Sequence, residues 1–392
     1  MVAASTVLTL LVAGVASLFM AWAIGAGSSG STPFAPAVGA NAISVMRAGF
    51  IVGILGLAGA VLQGANVSEA VGRELIRGVA LSPLAATVAL LTAATLVAIG
   101  VFAGYPIATA FTVTGAVVGV GLAMGGAPAW PKYVEITTLW VLVPFVGGGA
   151  AYATAVTLRH EAVPERIAVP ALGGVVGLLL ANIRFAALGG SGGQASVAQA
   201  AAALVGGPSG PVQVGVSLLI ALGIAGLLAR EVRADQAVGQ RRFLLVLGGL
   251  VAFSAGGSQV GLAIGPLLPL LDSFDPPLVA VLLGGGLGLL AGSWTGAPRM
   301  IKALAQDYSA LGPRRSIAAL IPSFAIAQTA VFLGIPVSFN EIIVSAIIGS
   351  GFAAGDGDVS REKMLYTVLA WVASLALALG VGYAGFTVIE LL

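Results

Sequence analysis

The sequence contains no cysteine, a single histidine in 392 residues and only 8% charged side chains. Each shortage closes a class of function. Without cysteine there are no disulfides, no thiolate metal sites and no cysteine nucleophile. His160 lies among Arg159, Glu161, Glu165 and Arg166, the surroundings of a solvated loop residue, which leaves no histidine to build a metal site or an acid–base pair. No Gly-x-x-x-x-Gly-Lys-Ser/Thr sequence occurs, so the phosphate-cradling loop of an ATP-driven pump is absent. With nucleophile and base both missing, the chain is read as not an enzyme and as carrying no cofactor. Soluble domains average about 25% charged residues. At 58% hydrophobic residues and a mean hydropathy of +1.07, this chain belongs in a lipid bilayer.

What the sequence does contain is a succession of apolar runs. At about 20 residues per crossing, its charged and Gly/Pro-rich points mark off twelve segments, near residues 4–24, 48–65, 82–101, 106–126, 138–158, 169–187, 211–229, 243–255, 277–297, 315–333, 336–355 and 364–389. The first carries no charge and lacks the basic start of a secretory signal, so it is expected to be a retained span. If Met1 starts outside, thirteen basic residues fall inside: Arg47, Arg159, Arg166, Arg230, Arg233, Arg241, Arg242, Arg299, Lys302, Arg314, Arg315, Arg361 and Lys363. Only Arg73, Arg77, Lys132 and Arg184 fall outside. The positive-inside rule thus predicts a multi-pass protein of the plasma membrane with both termini outside. Topology and anionic lipid account for the inner basic clusters, and no nucleic-acid partner is implied. Arg184, near a span end, is expected to snorkel to the headgroups.

The runs repeat. An offset of 230 carries the small-residue stretch Gly25-Ala-Gly-Ser-Ser-Gly-Ser-Thr-Pro-Phe34 onto the interrupted run at 253–267, Leu81-Ser-Pro83 onto Leu311-Gly-Pro313, Gly104-Tyr-Pro106 onto Gly334-Ile-Pro336, and Gly119 and Gly121 onto Gly349 and Gly351. The first copy enters from outside and the second from inside. The fold expected is therefore an all-α integral membrane protein of about twelve transmembrane helices in two inverted repeats, residues 1–160 and 243–392. Linking helices at 161–242 join them, with a Gly/Ser-rich connection at 189–193.

Inverted repeats with discontinuous or re-entrant helices mark secondary transporters, whose substrate site lies where the repeats meet. Irregular backbone in a bilayer survives only where it lines a protected cavity, and the start of a half-helix offers free N–H groups and partial positive charge to an anion. The stretches at 25–31 and 256–261 are expected to break in this way, presenting Ser28, Ser29, Ser31, Ser258 and Gln259. The competing reading of such small residues is close helix packing, as for Gly115 with Gly119 and Gly284 with Gly288.

In these residues the chain resembles the inorganic phosphate transporter (PiT) family of sodium- or proton-coupled symporters. That family repeats a signature close to Gly-Ala-Asn-Asp-Val-Ala-Asn, followed in its second copy by Ala-Ile-Gly-Pro-Leu. Phe253, Gly256, Val260, Ala263, Ile264, Gly265, Pro266 and Leu267 keep that frame here. The family's Gly-x-Pro-Val-Ser-Thr-Thr-His looks like Gly104-Tyr-Pro-Ile-Ala-Thr-Ala-Phe111 and Gly334-Ile-Pro-Val-Ser-Phe-Asn-Glu341. The resemblance implies a homodimeric, ion-coupled oxyanion symporter, with Thr32, Thr109, Ser338 and Asn340 joining the serines and Gln259 at the substrate. The departures bear on cargo and coupling. Ser28-Ser29 and Ser258-Gln259 stand where the family has Asn-Asp, so both signature aspartates are missing. Phosphate near neutrality carries a proton that seeks an acceptor, its esters having a second pKa of about 6, whereas sulfate only accepts hydrogen bonds. The expected cargo is inorganic phosphate, coupled to Na+ or H+. The alternatives are a proton-coupled sulfate permease, as in the family's sulfate permease branch, and a passive anion channel. Glu341, a carboxyl inside a span, is the expected proton-coupling group, against the plain reading of an idle acid in a first helical turn.

Overall fold

The computed structural model describes residues 4–185, 188–189, 194–205, 209–272, 274, 276–355 and 359–391. Beyond Gly189, the Gly/Ser-rich connection lies outside the described residues. From α1 (Ala4–Ile24) the chain passes through a π-helical turn (Gly25–Ser29) into α2 (Ala35–Gly39), α3 (Val45–Gln63), α4 (Ala65–Arg73), the short strand β1 (Ile76–Arg77), α5 (Pro83–Ala103), α6 (Thr109–Ala123), β2 (Ala127–Pro128) and α7 (Trp130–Arg159). A middle section follows: α8 (Glu165–Asn182), β3 (Arg184–Phe185), β4 (Ala195–Ser196), α9 (Val197–Val205) and α10 (Ser209–Ala234). The rest is α11 (Gln236–Ile264), a 3-10 turn (Gly265–Leu267), α12 (Leu268–Leu271), α13 (Leu278–Thr295), α14 (Ala297–Gln306), α15 (Pro313–Leu333), α16 (Phe339–Phe352) and α17 (Arg361–Glu390). The protein is a nearly all-helical membrane protein, and α11 starts inside the segment the sequence assigned to linking helices.

Two expectations are corrected. The first is the count of twelve spans: among the described residues ten helices are long and apolar enough to cross a membrane. The fourth and eleventh candidates are α6 and α16, of 15 and 14 residues. At 1.5 Å per residue they reach about 22 Å, short of a hydrocarbon core of about 30 Å. They are the return arms of hairpins. Gly104 and Gly334, at φ 75° and 65°, close α5 and α15 in the left-handed conformation that glycine adopts freely. Pro106 and Pro336, with no N–H to give, delay the next helix until Thr109 and Phe339. β1 pairs antiparallel with β2, Ile76 opposite Pro128 and Arg77 opposite Ala127, so the first hairpin enters and leaves on one face. A bridge between Ser309 and Val359 brackets the second hairpin in the same way. A hairpin that returns leaves the sidedness of the remaining spans unchanged. The ion pairs agree: Arg73 with Glu69 and Asp272, and Lys132 with Glu74 and Glu135, gather residues assigned to one face. Arg314 with Glu165, Arg242 with Glu231 and Lys363 with Asp307 gather residues assigned to the other.

The second correction concerns residues 253–267. The sequence placed a break there, yet α11 runs unbroken through Ser258 and Gln259 to Ile264, and irregularity starts only at Gly265. The small residues serve close approach instead. A Cβ on Gly256 would lie 1.8 Å from the Gly56 carbonyl oxygen, and one on Gly261 2.6 Å from the Ser68 nitrogen. Backbone therefore packs on backbone between α11 and the α3–α4 segment, where any side chain would force the helices apart.

The elements recur at the offset read from the sequence. α5 and α15 share both bounds at a spacing of 230, α6 and α16 share their start, and α7 and α17 are spaced by 231. Packing crosses between the halves: α1 lies on α13, α3 on α11, α6 on α17 and α7 on α16. The hairpin tips are tied across as well. Trp140 of α7 donates its indole N–H to the Pro336 carbonyl at 2.8 Å, and Trp371 of α17 donates to the Pro106 carbonyl at 2.8 Å. Each hairpin is braced by the last long helix of the other half.

Candidate functional site

Four elements converge at the hairpin tips: the π-turn after α1, the C-terminal part of α11, and the N-termini of α6 and α16. Neither half-helix has a side-chain N-cap, since Ala108 and Ser338 occupy the cap positions without capping bonds. Their first-turn N–H groups have no partner within the helix and carry the positive end of its dipole. The Gly-x-Pro turns thus supply the half-helix starts that the sequence reading sought at 25–31 and 256–261.

Gln259 is the hub. Its side-chain oxygen accepts from Thr109 Oγ1 at 2.7 Å and from Ser28 Oγ at 3.3 Å, and its Nε2 donates to the Val337 carbonyl at 2.6 Å. Ser258 Oγ lies 3.5 Å from that nitrogen. Asn340 Nδ2 donates to the Gly27 carbonyl at 2.9 Å and the Ile107 carbonyl at 2.7 Å, fastening the second hairpin to the π-turn and to the first hairpin. All these side chains are buried. Two atoms in this shell, Ser338 Oγ and Asn340 Oδ1, are buried and lack hydrogen-bond partners. A buried polar atom without a partner costs free energy that a bound ligand recovers. The bonded side chains of the shell are uncharged hydroxyls and amides, set before two positive helix ends. That combination attracts an anion without a competing carboxylate. Among the described residues no three His, Asp or Glu side chains gather to hold a metal ion.

The structure brings together Ser28, Thr109, Ser258, Gln259 and Asn340, with Ser338 beside them. Ser31 and Thr32 turn their hydroxyls back onto the Ser28 carbonyl, at 3.2 and 3.0 Å, and so hold the π-turn rather than reach the shell. Ser29 is buried on the same turn and takes no part in these bonds. Glu341 faces elsewhere. It lines an apolar cavity of about 800 Å³ with Trp140 and Trp371, and its Oε2 has no partner. His160 is an exposed loop residue whose Nδ1 accepts from the Ala162 N–H. Arg184 is exposed, and its guanidinium carbon stands 4.7 Å over the centre of the Phe332 ring, a cation–π contact. Sequence reasoning missed Gln63, Gln328 and Ser254, which form a hydrogen-bonded chain beside the shell. Amides inside apolar runs signal a function as an intramembrane carboxyl does, and that rule would have found them.

Fold and site together define the class: a membrane protein whose buried polar centre is built from re-entrant half-helices, the architecture of a transporter. The profile of the phosphate transporter family matches residues 24–382, and the chain belongs to that family, whose members are transporters and not enzymes. The chloroplastic inorganic phosphate transporter 2-1 of Arabidopsis thaliana is 25% identical, over 91% of this chain and 68% of that protein. A solved structure described as the sodium-dependent phosphate transporter superposes with a TM-score of 0.81 at 22% identity, covering 98% of this chain and 99% of that one; it establishes the shared fold.

Proposed function

We propose that this chain is a secondary active symporter of inorganic phosphate, working in the plasma membrane with both termini outside. In this reading residues 1–160 and 243–392 act as inverted repeats around one site. The observation that carries it is the convergence of the α6 and α16 N-termini on the shell around Gln259, with the free acceptor Asn340 Oδ1 among the donors. Sulfate asks only for donors. Protonated phosphate also needs an acceptor, and Asn340 Oδ1 supplies one without an aspartate. Family membership and the phosphate-transporting names of its relatives support the same cargo.

Coupling is assigned to the proton through Glu341, a buried carboxyl in the first turn of the half-helix that forms the site. It lines the apolar cavity and not the polar shell, so it can change protonation without entering the anion's contacts. The test is uptake of radiolabelled phosphate, and separately of sulfate, into proteoliposomes under an imposed proton or sodium gradient. Accumulation of phosphate driven by the proton gradient, with counterflow exchange, is the expected result. Faster sulfate uptake overturns the cargo, a sodium gradient as the sole driver overturns the role of Glu341, and flux with neither accumulation nor counterflow marks a channel.

A further inference from the structure

A second polar feature lies apart from the shell. Between α3, α8, α10 and α15 there is a pocket of about 620 Å³ whose walls include Asn182, Gln199, Gln213 and the exposed Arg184. The most deeply buried amide at its edge is Gln63, 4% exposed, beside Gln328. Side-chain amides at the level of membrane spans need protein partners or water, and six of them, Gln63, Asn182, Gln194, Gln199, Gln213 and Gln328, line this pocket.

The two innermost amides hold one another. Gln63 Nε2 donates to Gln328 Oε1 at 3.3 Å, and Gln328 Nε2 donates to Gln63 Oε1 at 3.1 Å. The pair is anchored on both sides. Gln63 Nε2 also donates to the Arg184 carbonyl at 3.2 Å, and Gln328 Nε2 to Ser254 Oγ at 2.6 Å. Ser254 stands one helical turn before Ser258 on α11. Gln63 itself packs on Gly257, where an added Cβ would lie 2.8 Å from its own. The amide pair therefore sits between the pocket and the turn of α11 that carries Ser258 and Gln259.

Resting on the transport reading above, we propose that this pocket is the outer vestibule through which the oxyanion approaches, and that the reciprocal Gln63–Gln328 amide pair is the gate between vestibule and site. Arg184 gives the vestibule its positive charge. An amide pair suits such a gate because it seals with neutral hydrogen bonds and, once parted, turns N–H donors toward the anion. Exchanging those bonds for bonds to water or phosphate is a small net change, so the gate opens without exposing an unpaired charge.

The absence of cysteine makes every introduced thiol the only one in the chain. The test uses intact cells expressing single-cysteine variants and a charged, membrane-impermeant thiol reagent added outside. Gln199→Cys and Gln63→Cys are expected to react, Gln63→Cys more slowly when inorganic phosphate is present. Leu219→Cys, in the middle of α10 at 71% exposure, is expected to stay unlabelled, because a thiol in hydrocarbon does not ionise. Ser258→Cys is expected to react slowly, and about tenfold faster once Gln63→Ala and Gln328→Ala remove the two hydrogen bonds. Where that combination fails to reach the membrane, Gln328→Ser in the Ser258→Cys background reads the same gate. Labelling of Gln63→Cys only from the cytoplasmic side, or a Ser258→Cys rate indifferent to the amides, overturns the proposal. Protection by sulfate in place of phosphate supports the vestibule and overturns only the cargo reading.

Discussion

At the scale of the residue, Gln259 does the most work for the fewest atoms. Its amide joins α11 to the tips of both hairpins, through Thr109 and the Val337 carbonyl. Gln259→Leu keeps much of the volume and removes every bond, leaving the buried Val337 carbonyl without the amide donor and Thr109 with only its longer contact to Ser28 Oγ, at 3.4 Å. We expect phosphate uptake to be lost and thermal stability in detergent to fall by about 1–3 kcal/mol; unchanged uptake would remove Gln259 from the site. Glu341→Gln is nearly isosteric. It should abolish proton-driven accumulation while leaving phosphate exchange under equilibrium conditions, and a variant that still concentrates phosphate with the parent's efficiency would exclude Glu341 from coupling. Five of the residues chosen from sequence do meet, because a polar side chain in an apolar span is rare and has to be used. The misplaced ones share a cause. Ser31 and Thr32 lie within four residues of the carbonyl they bond, and hydroxyls at such spacing satisfy local backbone before they reach a distant ligand.

At the scale of the element, the hairpins depend on ties made by other elements. Trp371→Phe and Trp140→Phe keep an aromatic ring and lose one N–H each, stranding the Pro106 or Pro336 carbonyl. Each is expected to lower the detergent-solubilised protein's stability by about 1–3 kcal/mol, by similar amounts for the two, measured by thermal unfolding. A large effect from one and none from the other would contradict the equivalence of the braces. The turns between α5 and α6 and between α15 and α16 were legible in the sequence because Gly-x-Pro stops a helix for local steric reasons. The course of α11 was not legible. Gly256 and Gly261 look like helix breakers in one dimension, and only a neighbouring backbone 1.8 Å from where a Cβ on Gly256 would stand shows that they are packing glycines. The same residues permit either outcome, and the partner helix decides which.

At the scale of the whole molecule, the halves are clasped on one face by Arg73 at the end of α4, which holds Asp272 after α12 at 2.5 and 3.0 Å. The Arg73 guanidinium, through its hydrogen bonds and charge, holds the Asp272 carboxyl below the usual carboxylate range. A carboxyl depressed on folding stabilises above the ordinary carboxylate range and loses that contribution as pH falls through its lowered value. The clasp is exposed, so the contribution should be under about 1 kcal/mol. Asp272→Asn is expected to flatten that small acid-side slope in thermal unfolding, and an unaltered slope would show that the clasp is idle. The duplication was legible because offset landmarks are a property of the sequence itself. That the halves exchange packing partners was not, since nothing in a linear order says which copy a helix will lie against.

That exchange sets a schedule for the protein's birth. The first hairpin is complete when Ala123 leaves the ribosome, but α17, which packs on α6 and supplies Trp371, starts only at Arg361. At roughly 5–20 residues per second, synthesis of the intervening chain takes on the order of ten to fifty seconds. During that interval the close-packing face of α6 at Gly115 and Gly119, shaped to receive the backbone at Leu375 and Leu379, waits in the membrane without its partner. The half made first is the last to be finished, so a nascent chain that stalls late is left with an open seam where membrane quality control can seize it.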